Sequence, residues 1–270
     1  MKQFEEITLT REGRVAILTL KRPQKLNALT PRMLWYEITP ALDQITEDSR
    51  VGALVITGEG KGFSAGADVS GLQRAAAAGG MASHPDFKSP EPWGRRYEFI
   101  VRLRNLPKPT IAAVNGVAAG AGLSISLACD IRIASENARF SSAFIRRGLV
   151  PDAGGTFFLP RLLGTARALE LMYTGDVIGA QEAERIGLVN RVVAATDLMT
   201  ATLELASRIA SGPPIALALT KRIVYQWLEQ DLLTQVEYEA YNQRLCRETE
   251  DFKEGIESFV EKRAPKFKGR

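Results

Sequence analysis

Histidine is almost missing from this chain: His84 is the sole one in 270 residues, and cysteine is limited to Cys129 and Cys246. A metal centre built on imidazole and thiolate needs several such ligands at short spacings, so none is expected. Two cysteines so far apart in sequence do not make the disulfide framework of a small secreted domain. Long apolar runs are missing too: none approaches the ~20 residues that cross a bilayer, so no membrane partner is expected. The opening M-K-Q-F-E-E-I lacks the apolar stretch of a secretory signal, and cytoplasm is the expected location. Charge is nearly balanced, with 35 Lys and Arg against 31 Asp and Glu, a net +4. The small basic excess suits a polyanionic ligand, and it does not make nucleic acid the expected partner.

What is present is an alternation of strand and helix. Phe4–Thr10 and Val15–Lys21 read as a hairpin joined at Gly13. Thr30-Pro31 opens a helix, with Thr30 as N-cap and a break expected at Pro40. Val51–Thr57 and Thr110–Val114 are apolar runs of the kind buried on both faces of a parallel sheet. A helix is expected over Arg95–Leu106, and short strands at Ile131–Ala134 and Ala138–Ser141. From Gly155 onward the pattern is helical, with one strand expected at Val189–Val193. Ser211-Gly212-Pro213-Pro214 punctuates this region. The order of elements favours an α/β core with a parallel sheet.

The chain is organised around N-G-V-A-A-G-A-G-L-S-I-S-L-A-C-D at Asn115–Asp130. Glycines follow an apolar run and lead into a helix of small residues, where the first N–H groups are unpaired and favour negative charge. A second stretch, F-S-A-G-A-D at Phe63–Asp68, also follows an apolar run and offers an amide after a glycine. Two such amides converging on one oxygen would form an oxyanion hole.

These stretches resemble the crotonase superfamily, the enoyl-CoA hydratases and isomerases. R-P-Q-K-L-N-A-L near the start, P-D-A-G-G-T at 151–156, T-G-D at 174–176 and F-V-E-K-R at 259–263 extend the resemblance over nearly the whole chain. The resemblance implies an α/β spiral of ββα units over residues 1–211 and a C-terminal helical region, 212–270, that covers coenzyme A and builds a homotrimer or a dimer of trimers. It implies an acyl-CoA substrate, with coenzyme A entering as part of that substrate and no separate cofactor. The oxyanion amides fall on Ala67 and Ala121. Contacts to coenzyme A fall on Arg22, Lys25, Leu26, Ala65 and Asp68, and on Phe259 and Lys262 of the last helix. The acyl pocket draws on Phe87, Trp93, Tyr97, Ser124 and Phe144.

One departure carries most of the information. Hydratases of the family use two glutamates as acid and base; Ser124 and Phe144 occupy those positions here, and neither exchanges a proton near neutral pH. Asp152, in V-P-D-A-G-G, is the replacement candidate, positioned as in family isomerases that move protons with one carboxylate. Three alternatives stay open. Asp152 caps the helix at Gly155; or it is a nucleophile, as in the related 4-chlorobenzoyl-CoA dehalogenase, where a histidine base would fall on Tyr97; or the chain binds acyl-CoA or RNA without catalysis. His84, in Ser-His-Pro-Asp, reads as a loop residue.

Overall fold

The computed structural model describes residues 4–70, 73, 77, 97–226 and 230–270. His84 and the expected pocket residues Phe87 and Trp93 lie outside the described residues.

The first hairpin pairs β1 (Ile7–Glu12) with β2 (Val15–Leu20), from Ile7 opposite Leu20 to Glu12 opposite Val15. Gly13 turns it with φ +54, the left-handed backbone that a tight hairpin needs. Thr30 then caps the next helix, its Oγ accepting from the Met33 N–H at 3.0 Å. Pro40 does not break that helix. Residues Arg32–Ile38 form wide π-type turns that run directly into regular α1 (Thr39–Glu47), and Pro40 sits just past this junction, where the helical hydrogen-bond pattern changes.

Three strand pairs build the core. β3 (Ala53–Gly58) is followed by β4 (Gly62–Ser64). After α2 (Glu98–Arg104) come β5 (Thr110–Val114), β6 (Val117–Ala119) and α3 (Ala121–Ala128). Then come β7 (Ile131–Ser135), β8 (Arg139–Ser141) and α4 (Gly155–Leu163). Each pair gives one strand to each of two sheets. The larger sheet runs β1-β2-β3-β5-β7-β10, with β10 at Arg191–Val193, and the smaller β4-β6-β8-β9, with β9 at Val177–Gly179. Every residue of β3 and β5 is buried, which is why both read as continuous apolar runs.

After α4 the chain forms α5 (Thr165–Thr174), β9 (Val177–Gly179), α6 (Ala180–Arg185), β10 (Arg191–Val193) and α7 (Leu198–Ala210). The expectation of one strand in this region is corrected by β9, which closes the smaller sheet antiparallel to β8. The helices α8 (Pro214–Gln226), α9 (Leu232–Arg247) and α10 (Glu250–Val260) complete the chain. Two clusters of buried side chains fill the interior. One packs α7 against the larger sheet through Ala206, Ala210, Val55 and Ala113, and the other gathers side chains of both sheets and of α1 to α6 around Phe63, Phe140 and Leu123.

Candidate active site

The smaller sheet positions the site. Its strands β4, β6 and β8 lie side by side and parallel, so the segments leaving their C-terminal ends emerge together. Ala67 follows β4, Ala121 follows β6, and Phe144 and Asp152 follow β8.

The two turns meet backbone to backbone. A Cβ placed on Gly66 would lie 2.7 Å from the Ala119 carbonyl oxygen and 3.4 Å from the Ala121 nitrogen. Gly66 also has φ +87, so both space and conformation demand glycine there. Gly122 is held as tightly: its Cβ would stand 2.3 Å from the Ser64 carbonyl oxygen. No larger residue lets α3 start this close to β4.

Local hydrogen bonds leave the two expected amides open. Leu29 N–H donates to Gly66 O at 2.8 Å and Asp68 N–H to Leu29 O at 3.0 Å. That parallel bridge turns the intervening Ala67 N–H away from Leu29. Ala121 is the first residue of α3, so its N–H has no carbonyl within the helix. The Phe144 ring covers this turn, 3.7 Å from where a Gly120 Cβ would sit.

Asp152 is fixed from three elements. Its main-chain oxygen accepts from Ser124 Oγ on α3 at 2.9 Å and from the Gly155 N–H of α4 at 2.9 Å. Its carboxylate Oδ2 accepts from the Tyr97 hydroxyl, just ahead of α2, at 2.9 Å. The other oxygen, Oδ1, is buried with no partner among the described residues. Burial pushes the carboxyl above its ordinary pKa, and the Tyr97 bond partly opposes that rise. Asp152 is not the cap of α4: Gly154 holds that position, and no side chain bonds the helix start. Ala153, next after Asp152, is strained at φ 48, and Gly154 at φ 81 takes the left-handed backbone that glycine allows.

This arrangement offers two backbone donors for a developing oxyanion and one desolvated carboxylate for proton transfer. The family described as enoyl-CoA hydratase/isomerase matches residues 10–270. The chain belongs to that family, the crotonases. It is 39% identical to the short-chain-enoyl-CoA hydratase of Clostridium acetobutylicum over 267 residues, 97% of either chain. It is 40% identical to the 1,2-epoxyphenylacetyl-CoA isomerase of Escherichia coli over 261 residues, 96% of this chain and 97% of that one. Among solved structures, a putative enoyl-CoA hydratase from Streptomyces coelicolor superposes with TM-score 0.90 at 37% identity, covering 100% of this chain and 96% of the other. The protein is thus a crotonase-type acyl-CoA enzyme with the fold expected of it.

Within this crotonase, the early loop expected to meet coenzyme A is built around a residue that sequence reasoning left unassigned. Asn27 is fully buried at φ 55, and its amide nitrogen donates to Glu59 O at 2.9 Å and Gly62 O at 2.7 Å. Its signal is an asparagine between Leu26 and Ala28 in R-P-Q-K-L-N-A-L, a residue type that tolerates left-handed backbone. Leu26 and Ala65 are brought together, the Ala65 N–H donating to Leu26 O at 2.8 Å. Arg22 and Asp68 form an ion pair at 2.9 Å, and Arg22 also donates to Ala28 O at 2.6 Å. The Ser70 hydroxyl and Arg22 hold the Asp68 carboxyl down at about 2. Both residues therefore brace the turn that carries Ala67. Lys25 and Phe259 are exposed, and Lys262 lies beyond the end of α10 instead of on it. Among the described residues, no hydrogen bond or ion pair ties Phe259 or Lys262 to the site.

Proposed function

We propose that this chain is an acyl-CoA isomerase that moves a double bond by a single-carboxylate proton shuttle. In a 3-enoyl thioester, Asp152 takes a proton from the α-carbon. The C–H electron pair flows into a dienolate whose oxygen is held by the Ala67 and Ala121 N–H groups. The carboxyl then returns the proton at the γ-carbon and gives the 2-enoyl thioester. Atoms and charge balance without redox chemistry. The amides contribute by donating to charge that exists only after proton loss, an effect worth about 3–4 kcal/mol per donor.

The observation that carries this reading is the half-buried Asp152 carboxylate, whose Oδ1 is buried and unpartnered among the described residues, beside positions where Ser124 and Phe144 supply no acid or base. A carboxylate with a raised pKa is a stronger base than an exposed one. The Escherichia coli relative, named 1,2-epoxyphenylacetyl-CoA isomerase, supports the reading only in that it is named as an isomerase of an acyl-CoA. Hydration of crotonyl-CoA, the activity in the name of a 39% identical Syntrophomonas wolfei relative, would need a second acid–base group here.

Asp152→Asn tests the proposal. Asparagine keeps the size and an acceptor for Tyr97 but takes up no proton at neutral pH. Conversion of trans-3-hexenoyl-CoA should fall ~10²–10⁴-fold, with affinity for hexanoyl-CoA nearly unchanged. Wild-type turnover in the variant would refute the base, and a covalent acyl adduct on Asp152 in the wild type would replace it with a nucleophile.

A further inference from the structure

The two oxygens of Asp152 are not equivalent. Oδ2 accepts from the Tyr97 hydroxyl at 2.9 Å, while Oδ1 is buried and unpartnered among the described residues. The main chain of Asp152 is already pinned by Ser124 and Gly155, each at 2.9 Å from its carbonyl oxygen. What remains free is rotation of the carboxylate about its own axis, and Tyr97 is the group that stops it.

We infer that Tyr97 is a positioning residue that reserves Oδ1 of Asp152 as the one proton-carrying oxygen of the isomerase. The inference rests on the reading of Asp152 as the base. When Oδ1 takes the substrate proton, Oδ2 becomes the carbonyl oxygen of a carboxylic acid and still accepts from Tyr97. The phenol therefore keeps one bond through both steps and gives up no proton itself. The acid proton stays on the oxygen facing the dienolate and is delivered from the side on which it was taken. Without Tyr97 the carboxyl is free to turn the proton away between the two steps.

Tyr97 also favours the ionised form, because a donor stabilises the anion more than the acid. Its effect on Asp152 opposes that of burial. Among the described residues no charged side chain contributes to the carboxyl's shift: α2 presents Tyr97, α3 presents the uncharged Ser124, and α4 begins on Gly155. Burial raises the pH at which the base is ready, and Tyr97 draws it back down.

The test compares Tyr97→Phe with 3-fluorotyrosine at position 97, a stronger donor of the same shape, using trans-3-hexenoyl-CoA over a range of pH. Tyr97→Phe should leave KM and hexanoyl-CoA affinity unchanged, lower the plateau of kcat about tenfold by loosening the carboxylate, and move the acid limb of the profile to higher pH. The 3-fluorotyrosine enzyme should keep the plateau and move the limb to lower pH. An unchanged plateau and limb in Tyr97→Phe, alongside an inactive Asp152→Asn, would overturn the positioning role and leave the base standing. Full turnover in Asp152→Asn would instead remove both. If Tyr97→Phe does not fold, the fluorotyrosine enzyme decides alone, and a limb that stays in place would overturn the inference.

Discussion

The two halves of the site are made of different material. The half proposed to hold the oxyanion is backbone: Gly66 and Gly122 admit no side chain, and the amides that would donate are those of Ala67 and Ala121. The half proposed to move the proton is side chain: the Tyr97 hydroxyl meets the Asp152 carboxylate across a long stretch of sequence, and Ser124 Oγ holds the Asp152 main-chain oxygen. A backbone site is hard to alter without disturbing the fold. A side-chain site is open to exchange, and on the resemblance both glutamate positions of the hydratases carry other residues in this chain. The contrast teaches that, under the proposed function, the oxyanion half is tied to the packing of the fold while the proton-handling half is free to vary.

The most severe way to break the backbone half is Ala121→Pro. Ala121 is the first helical residue, where proline is well tolerated, so the fold should survive while the donor is lost. Turnover of any thioester should drop ~10²–10³-fold, measured on protein whose circular dichroism matches wild type. Near-normal rates would mean that the Ala121 amide does not hold the oxyanion.

A gentler variant shifts that half without deleting it. Gly122→Ala forces a methyl to 2.3 Å from the Ser64 oxygen, so β4 and the start of α3 must part. Overpacking of this kind costs about 1–3 kcal/mol, and kcat should fall with stability because the amides separate together. Urea melts beside kinetics would check this; lost stability with untouched kcat would show that the two turns do not work as a pair.

The side-chain half predicts a smaller effect of opposite sign. Burial raises the pKa of Asp152, so the folded state holds its proton more tightly than the unfolded chain does. The stability from that proton is fully present below the unfolded pKa and is lost as pH rises through the folded one. At neutral pH the charged carboxylate therefore weighs against folding, and Asp152→Asn should raise Tm by about 2–4 °C. The gain should vanish on acidification below the carboxyl's titration. A Tm lowered at neutral pH would show that Asp152 serves the fold more than the chemistry.

The same contrast explains what could be read from the sequence. The buried strands β3 and β5 announce themselves as apolar runs, and the glycines of both turns mark the places where backbones must touch. The strands β4, β6 and β9 were harder to see, because three residues show neither alternation nor a sustained apolar run. They are three of the four strands of the smaller sheet, of which β8 alone was expected, so the element that aligns the site was only partly visible. Asp152 was legible through the resemblance, which places a single carboxylate there in some members, but its competing reading as a helix cap yielded only to the geometry around Gly154. The bond from Tyr97 joins residues with no local pattern between them, since only the folded chain brings the start of α2 to the loop before α4.

The central claim is that one carboxylate both removes and returns the proton. Transfer of deuterium within the substrate tests it most directly. A 3-hexenoyl-CoA labelled with deuterium at the α-carbon, turned over in ordinary water, should give 2-hexenoyl-CoA carrying part of that label at the γ-carbon, because the buried Asp152 returns what it took before exchange is complete. Product whose γ-carbon holds only solvent hydrogen, at every pH and in single turnovers, would contradict a single shuttle and require a second acid.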